Sequence, residues 1–253
     1  MKEDNEEHYY IDGQHYDNIV MSRNAYEAVP FYKKQAKKYG GPVLELACGT
    51  GRISIPIAKE GIPIIGLDFS PKMLEQAKRN SKENNVEIEW IEADMTNFTL
   101  GSKFSVIIMA AAAMNWVLEN KRIEKCLTCI KDHLTQNGRF IFDVFNPNLE
   151  ILKREPSKKY DIDEYPDPGG KGTVVVTVSN YYDKATQINH VTSYSSIKNK
   201  EIVKKLRLRM FFPQELDALL YYNGFIIDYK YGNFNEQPFT SDSNTQIVIC
   251  HKI

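Results

Sequence analysis

From residue 43 onward, apolar runs of strand length alternate with segments of helical period, and no other feature constrains the fold as strongly. The apolar runs are VLELA (43–47), PIIGLD (63–68), VEIEWIEAD (86–94), FSVIIMAA (104–111) and RFIFDVF (139–145). Helical patterns such as RISIPIAKEG and SPKMLEQAKRNSKENN lie between them, the latter with Ser70 as N-cap and Pro71 at its first position. Buried strands that alternate with helices predict an α/β fold on a doubly wound, mostly parallel sheet.

The pattern changes after Pro147, where polar breaks separate strand-like segments and helix signals become few. TVVVTVSNYY, INHVTSYSSI and EIVKKLRLRMF predict an antiparallel three-stranded insertion. PQELDALLYYNGF then predicts a short helix that ends at Gly224, and FIIDYKY and TQIVICHK predict a closing strand pair. The expected layout is a helical cover over residues 1–40, a core over 41–147 and 206–253, and the β insertion over 148–205.

The composition is that of an ordinary globular protein: the 253 residues are 42% hydrophobic and 26% charged, with a formal net charge of -1. A near-neutral chain lacks the general positive charge that is typical of nucleic-acid-binding proteins. No run approaches the length of a membrane span, and the acidic start MKEDNEEHYY does not resemble a signal peptide. We therefore expect a cytoplasmic protein with no membrane partner, while the sequence indicates no oligomeric state.

The four cysteines do not form a pattern typical of a disulfide framework. Cys126 and Cys129 form a CxxC, but Ile123, Leu127 and Ile130 recur around them at helical spacing. Both thiols are therefore expected on the buried stripe of an amphipathic helix, and we predict no metal site.

The segment LELACGTGRISI joins the first predicted strand to a helix through Gly49 and Gly51. Ser54 occupies the position of the third glycine of a dinucleotide-binding GxGxxG loop, and Glu45 places a carboxylate inside the apolar run. Two more acids, Asp68 and Asp94, end the second and third predicted strands. Because open α/β sheets bind ligands at the carboxyl ends of their strands, we expect these groups at one site.

The acids distinguish between two classes of ligand. A pyrophosphate needs a helix N-terminus and three glycines and would be repelled by Glu45, whereas a cation would be attracted. S-adenosylmethionine carries a sulfonium and an ammonium but no phosphate, so this loop suits it better than NAD. Asp68 can accept two hydrogen bonds from a ribose diol, although alone it is equally typical of an ordinary loop acid. Asp94, one strand further out, would face an adenine amino group.

The segments ELACGTGR, GLDFSPKML, EADMTNF and GRFIFDVFNP resemble the successive motifs of class I S-adenosylmethionine-dependent methyltransferases, over roughly residues 41–147. FFPQELDALLYYNGF and YGNFNEQPFTSDSNTQIVIC are similar to the tail of a branch that acts mostly on small molecules. The resemblance implies a Rossmann-like sheet of seven strands, mostly parallel with an antiparallel strand at the end, and an antiparallel β insertion as a cap.

The resemblance also implies contacts along S-adenosylmethionine. They are Ala47, Cys48 and Gly49 at the methionine part, Asp68 at the ribose, Phe69 and Met73 at the adenine faces, and Asp94 and Met95 at the adenine edge. Tyr16 and Arg23 lie in a segment that often closes over the cofactor in relatives, and they are candidates for binding its carboxylate; an ordinary helical cover is the alternative. Glu45, Gly51 and Ala110 complete the predicted cofactor-binding set.

After the fourth predicted strand, relatives usually present polar side chains to the acceptor, but this chain has MAAAAMNWVL. Alanines 110–113 supply no base, donor or nucleophile, so either the site is shaped for a bulky acceptor or acceptor chemistry has been lost. Methyl transfer from an aligned sulfonium has no obligatory protein base. A protonated acceptor would still need a base, and the candidates are His8, Tyr9, His15 and Tyr16 on the N-terminal cover. Asn115 and Asn146 are candidates for holding an acceptor polar group, and Trp116 for stacking on the acceptor, with a buried core indole as the alternative.

Basic and apolar residues alternate in KNKEIVKKLRLR (198–209). This pattern fits a strand with one solvated face, and the alternative is an anion clamp for a phosphorylated acceptor. The sequence as a whole predicts methyl transfer from S-adenosylmethionine to O or N of a small organic acceptor, which releases S-adenosylhomocysteine. Two alternatives remain: a methyltransferase for tRNA or protein, and a non-catalytic protein that binds S-adenosylmethionine.

Overall fold

The computed structural model describes residues 13, 16–17, 27–167, 170–198 and 200–253. The elements of its first half are α1 (Ala28–Tyr39), β1 (Val43–Leu46), α2 (Ser54–Ala58), β2 (Ile64–Asp68), α3 (Pro71–Glu83), β3 (Glu89–Glu92), β4 (Phe104–Met109), α4 (Asn120–His133) and β5 (Leu134–Phe145). Those of its second half are α5 (Leu149–Leu152), β6 (Tyr160–Pro166), β7 (Thr173–Asp183), β8 (Ile188–Ile197), β9 (Lys200–Arg209), α6 (Pro213–Tyr222), β10 (Phe225–Tyr231) and β11 (Thr245–Lys252).

Seven strands form the central sheet, in the order β10-β11-β5-β4-β1-β2-β3. The pairs β1–β2, β1–β4, β2–β3 and β4–β5 are parallel, whereas β11 runs antiparallel to β5 and to β10. The mostly parallel sheet with an antiparallel pair at one edge is therefore confirmed. The strand order reverses between β1 and β4, and ligands bind at such a reversal point in open α/β sheets.

Two apolar layers cover the two faces of the sheet, and alternate residues of β1 belong to different layers. Leu44 and Leu46 join the layer that packs against α4 and α6. Val43 joins the opposite layer, formed with α1 and α2. Because side chains alternate along a strand, Glu45 points to the same side as Val43. The carboxylate of Glu45 therefore lies on the side of the sheet that α2 covers.

The predicted start of α3 is confirmed. The Ser70 hydroxyl accepts a hydrogen bond from the Met73 amide at 3.4 Å, and Pro71 occupies the first helical position. The cap directs the helix N-terminus toward the end of β2, because Ser70 lies only two residues after Asp68. The turn from β2 into α3 is thus determined by residues within the turn itself, Ser70 and Pro71.

The insertion is an antiparallel sheet of four strands, in the order β6-β7-β8-β9. The prediction of three strands was wrong because the polar segment of β6 carries little apolar alternation, yet it pairs with β7 over most of its length. Strand β9 continues to Arg209, so the insertion extends past the expected boundary at residue 205. The division into cover, core and insertion otherwise stays a prediction.

Three predicted boundaries were wrong. Strand β3 ends at Glu92, and Asp94 lies beyond it in a turn whose Thr96 amide donates to the Asp94 carboxylate at 2.8 Å. Helix α2 ends at Ala58, before the turn that closes at Gly61. The fifth strand, predicted over residues 139–145, begins already at Leu134.

The CxxC lies on α4, where Cys126 is buried in the apolar layer and Cys129 packs against it partly buried. This confirms the predicted amphipathic stripe for Cys126. Of the predicted N-terminal cover, α1 and residues 13, 16 and 17 are helical, and the rest lies outside the described residues. None of the described helices combines the length and the hydropathy that crossing a membrane requires.

Candidate cofactor and acceptor site

The carboxyl ends of β1 to β4 surround one cavity of about 1450 Å³. Sites for one small ligand typically measure about 300–1,000 Å³, so this cavity has room for two ligands side by side. Most of the predicted cofactor-binding residues lie on its wall: Tyr16, Glu45, Ala47, Cys48, Gly49, Asp68, Phe69, Met73, Asp94, Met95 and Ala110. Their contacts with a cofactor stay predictions. Arg23 lies outside the described residues.

Glu45 and Ser54, the two departures from a GxGxxG loop, form one hydrogen-bonded pair. The Ser54 hydroxyl donates to Glu45 Oε2, and both side chains are buried. A third glycine would leave this carboxylate without its partner. Ser54, in place of the third glycine, therefore supplies a hydrogen-bond donor to the buried Glu45 carboxylate. The two departures from GxGxxG are thus parts of one local arrangement.

Burial raises the pKa of Glu45 from 4.5 to about 8, although Ser54 and Arg52 lower it in part. Because this folded value lies above the unfolded one, Glu45 stabilises the fold below pH 4.5 and loses that contribution as pH rises through about 8. A cation bound beside Glu45 would favour the ionised carboxylate and reverse the loss. The loop is thus electrostatically prepared for a positively charged ligand.

Asp68 connects the glycine loop to the start of α3. Its Oδ2 accepts from the Gly49 amide at 2.8 Å, and its Oδ1 accepts from the Ser70 amide at 2.9 Å. Burial raises the pKa of Asp68, and these backbone donors lower it. Each carboxylate oxygen has a further lone pair, so the side chain can also accept from a ligand hydroxyl in the cavity.

Asp94 makes two other contacts at the far end of the cavity. Its Oδ1 accepts from the Thr96 amide, and its Oδ2 pairs with the Arg122 guanidinium at 2.9 Å. The Asp94 carboxylate is therefore held at the cavity wall by the turn after β3 on one side and by Arg122 of α4 on the other. The predicted place of Asp94 at an adenine edge is compatible with this position and stays a prediction.

Gly51, predicted to contact the cofactor, does not lie on the cavity wall. A Cβ at this position would lie 2.6 Å from Cη2 of Trp90 on β3, and its φ is +84°. The same indole also lies over Gly66 of β2. The close approach of Trp90 explains why position 51 needs a glycine, and the predicted cofactor contact of Gly51 stays a prediction.

We expect Gly51→Ala to lower the free energy of unfolding by about 3 kcal/mol, from left-handed strain plus overlap with Trp90. Gly61→Ala is the matched control, because Gly61 also has a positive φ, of +76°, but nothing within 4 Å of the added carbon. It should cost only about 1 kcal/mol. Urea unfolding of both variants measures the difference, and equal losses would remove the Trp90 contact from the explanation.

The alanine run after β4 is held in place by Asp143 of β5. Ala111 and Ala112 both have positive φ, of 58° and 54°, and their amides donate to Asp143 Oδ1 at 3.0 Å and Oδ2 at 2.8 Å. The Tyr32 hydroxyl of α1 donates to Oδ1 at 2.5 Å. Asp143 is buried, and burial raises its pKa while these three donors lower it. Asp143 thus fixes an unusual backbone at the cavity wall.

Sequence reasoning missed Asp143, although a signal was present. An acid inside the apolar run RFIFDVF has the same form as Glu45 inside VLELA. Buried carboxylates are rare unless donors surround them, so either acid indicates a local backbone arrangement.

The N-terminal segment is anchored to the glycine loop through Asp17, another residue that sequence reasoning missed. The Asp17 carboxylate accepts from the Thr50 hydroxyl and, at 2.8 Å, from the Asn80 amide of α3. Tyr16, its neighbour, lies on the cavity wall. The cover therefore reaches the site as predicted at Tyr16, and a polar anchor fixes it there.

Two predicted acceptor contacts are engaged elsewhere. Asn115 is fully buried, with its Nδ2 donating to the Arg209 carbonyl at 2.6 Å and its Oδ1 accepting from the Phe145 amide at 3.2 Å. Asn146 donates to the Ser243 carbonyl at 2.7 Å. Neither lies on the cavity wall, whereas Trp116 does. His8, Tyr9 and His15 lie outside the described residues.

Residues 43–138 match the family model described as a methyltransferase domain. A putative methyltransferase of Geobacillus sp. (strain WCH70) is 31% identical over 134 residues, which are 51% of this chain and 54% of that relative. The chain spans about half the length of this curated relative.

Two solved structures share the fold over nearly the whole chain. The CcbJ methyltransferase from Streptomyces caelestis has a TM-score of 0.78 at 20% identity, covering 90% of this chain and 88% of its own. CalS10 with bound S-adenosylmethionine, an amino pentose methyltransferase from Micromonospora echinaspora, has a TM-score of 0.71 at 16% identity, covering 94% and 96%. At such identities the likeness establishes the fold.

Proposed function

We propose that this chain, whose residues 43–138 match the methyltransferase-domain model, is an S-adenosylmethionine-dependent methyltransferase that transfers the sulfonium methyl group to O or N of a small organic acceptor. S-adenosylmethionine is the cofactor of the family, and S-adenosylhomocysteine is the second product. The single observation that carries the proposal is the cavity of about 1450 Å³, which joins the glycine loop and its acids to the alanine run after β4.

The distribution of charge supports the orientation of the cofactor. In the proposal, Glu45 lies beside the cationic methionine part, Asp68 accepts from the ribose hydroxyls, and Asp94 lies at the adenine edge. Gly49 brings backbone close to the ligand because its φ of +54° needs no strained side chain. Cofactor contacts of Tyr16, Ala47, Cys48, Phe69, Met73, Met95 and Ala110 are part of the same proposal.

The transfer itself is a displacement at the methyl carbon. A lone pair of the acceptor O or N forms the new bond to carbon, while the carbon–sulfur bond breaks and its electron pair stays on sulfur. An ammonium acceptor must first lose a proton to water or to a base to expose its lone pair, and a hydroxyl acceptor loses its proton to water or to a base before or during the displacement. The chain contributes alignment, because Asp143 holds the alanine backbone at the cavity wall and Asp17 anchors the cover.

The pH dependence of cofactor binding tests the role of Glu45. At pH 6 its carboxyl is largely protonated, since its pKa is about 8, so wild type and Glu45→Gln should bind S-adenosylmethionine with similar affinity. At pH 8.5 the ionised wild type should bind about tenfold more tightly than the variant. Calorimetric titrations at both pH values measure this ratio, and a ratio that does not change with pH would remove Glu45 from contact with the cation.

Turnover tests the activity as a whole. Protein mixed with methyl-labelled S-adenosylmethionine and a small-molecule extract should move label into an extractable product and accumulate S-adenosylhomocysteine. Cofactor binding without label transfer would favour the non-catalytic alternative. Label transferred only to a tRNA or protein fraction would favour the macromolecular alternative.

A cytoplasmic location belongs to the same proposal, and the free thiols of all four cysteines support it.

A further inference from the structure

The cavity wall divides into two halves of different character. Toward β2 and β3 it carries charged side chains, among them Asp68, Asp94 and Arg122. Toward β4 and β5 it is apolar, with Ala111, Ala113, Trp116 and Phe145, and strand β9 of the insertion closes this half with Leu206 and Leu208. The apolar half is the one next to the alanine run, where the acceptor lies in the proposed reaction.

The polar atoms behind the apolar half are already engaged. The amides of Ala111 and Ala112 donate to Asp143, and the Asn115 amide group binds two backbone atoms. Ala110, Ala111 and Ala113 therefore border the cavity without a side-chain polar group, and the Ala111 amide is not free to bind a ligand. Phe145 adds an aromatic face that is 43% exposed, an uncommon value for a large apolar side chain at the end of a core strand.

Strand alternation determines which face of β9 meets the acceptor. Leu206 and Leu208 lie on the cavity wall, opposite Val191 and Asn189 of β8. Lys205 and Arg207 alternate with these two leucines along the strand and so point to the other face of the sheet. Arg209 is paired with Glu215 at 2.6 Å. Lys204 shares the face of Leu206 and Leu208 by the same alternation, but Leu206 and Leu208 are the residues of β9 that lie on the cavity wall. The absence of a basic residue of β9 from that wall argues against the anion clamp that the sequence left open.

We propose that the acceptor has an apolar, planar ring body that packs against Trp116, Phe145 and the Leu206–Leu208 face of β9. The substrate class is therefore an aromatic alcohol or amine, not a phosphorylated sugar. This inference rests on the proposed function and specifies its acceptor. Aromatic rings fit such a wall because they bury a large area with little conformational entropy and stack on exposed aromatic faces.

The test uses 1-naphthol and 1-naphthyl phosphate as probes, titrated into protein saturated with S-adenosylhomocysteine and followed by naphthyl fluorescence. Wild type should bind 1-naphthol at least about tenfold more tightly than the phosphate. Leu208→Asp should weaken 1-naphthol binding by about tenfold or more, and Leu208→Ala by about threefold to tenfold if the aspartate variant does not fold. Lys205→Ala is the control, because Lys205 points to the opposite face of β9, and its affinity for 1-naphthol should stay within about twofold of wild type.

Two results would overturn the inference: tighter binding of the phosphate than of 1-naphthol, or 1-naphthol binding that no cavity-face substitution changes. Failure of wild type to bind 1-naphthol would overturn it as well. The affinity for S-adenosylhomocysteine, measured on each variant by calorimetry, should stay within about twofold of wild type. Absence of that binding in wild type would instead contradict the proposed function, so the two failures are distinguishable.

Discussion

Asp68→Ala is expected to reduce the affinity for S-adenosylhomocysteine by about a hundredfold or more. The proposed role gives the carboxylate two hydrogen bonds from the ribose diol, each worth about 1.5–3 kcal/mol because the acceptor is charged. Two such bonds account for a loss of roughly 3–6 kcal/mol, so a ligand that binds the wild type in the micromolar range should give weak or no measurable heat with the variant. Calorimetry with the purified variant measures the change.

The control must separate the ribose role from the structural role of Asp68, because the same carboxylate accepts from the Gly49 and Ser70 amides. Asp68→Asn keeps the size of the side chain and one acceptor oxygen, so it should unfold near the wild-type temperature yet bind clearly more weakly. Asp132→Ala, an exposed acid on α4, should change neither quantity. Full affinity in Asp68→Ala would remove the ribose role.

Asp143→Ala is expected to lower the free energy of unfolding by about 3–5 kcal/mol, the largest stability change in this set. The substitution leaves three buried donors without an acceptor: the amides of Ala111 and Ala112 and the Tyr32 hydroxyl. Each costs about 1–3 kcal/mol. The two left-handed alanines also lose the group that holds them in that conformation, and their relaxation recovers part of this cost. Thermal unfolding should show a decrease of roughly 10 °C.

Tyr32→Phe is the matched, milder variant, since it removes one of the three donors and leaves both alanine amides bound to Asp143. It should cost about 1 kcal/mol and should reduce methyl transfer less than Asp143→Ala does. An Asp143→Ala protein that unfolds within about 2 °C of wild type would show that the alanine backbone does not depend on this carboxylate.

Much of the fold could be predicted because its determinants are local. Strand–helix alternation, the Ser70 cap and Pro71 at the helix start are each read within a few residues, and the structure bears them out. The number of strands in the β insertion was harder to predict from the sequence. Strand β6 is stabilised by pairing with β7, and a polar strand of that kind has no periodic signature of its own.

In the site, too, features with local determinants could be predicted and those that depend on distant contacts could not. The acids at the strand ends could be predicted, since chain position and sheet topology together bring Glu45, Asp68 and Asp94 to one cavity. The contact that requires a glycine at position 51 could not be predicted, because it is made by Trp90, which lies on a strand two positions away in the sheet. The anchoring of the alanine run by Asp143 depends on long-range contacts too, across 31 and 32 residues of sequence.

Titration of the wild-type protein with S-adenosylhomocysteine, and separately with NAD, tests the central claim most directly. A loop with two glycines, a buried acid at position 45 and a serine that supports it is expected to bind a ligand without phosphates. We predict binding of S-adenosylhomocysteine in the micromolar range and no measurable binding of NAD. Binding of NAD without binding of S-adenosylhomocysteine would contradict the assignment of this cavity.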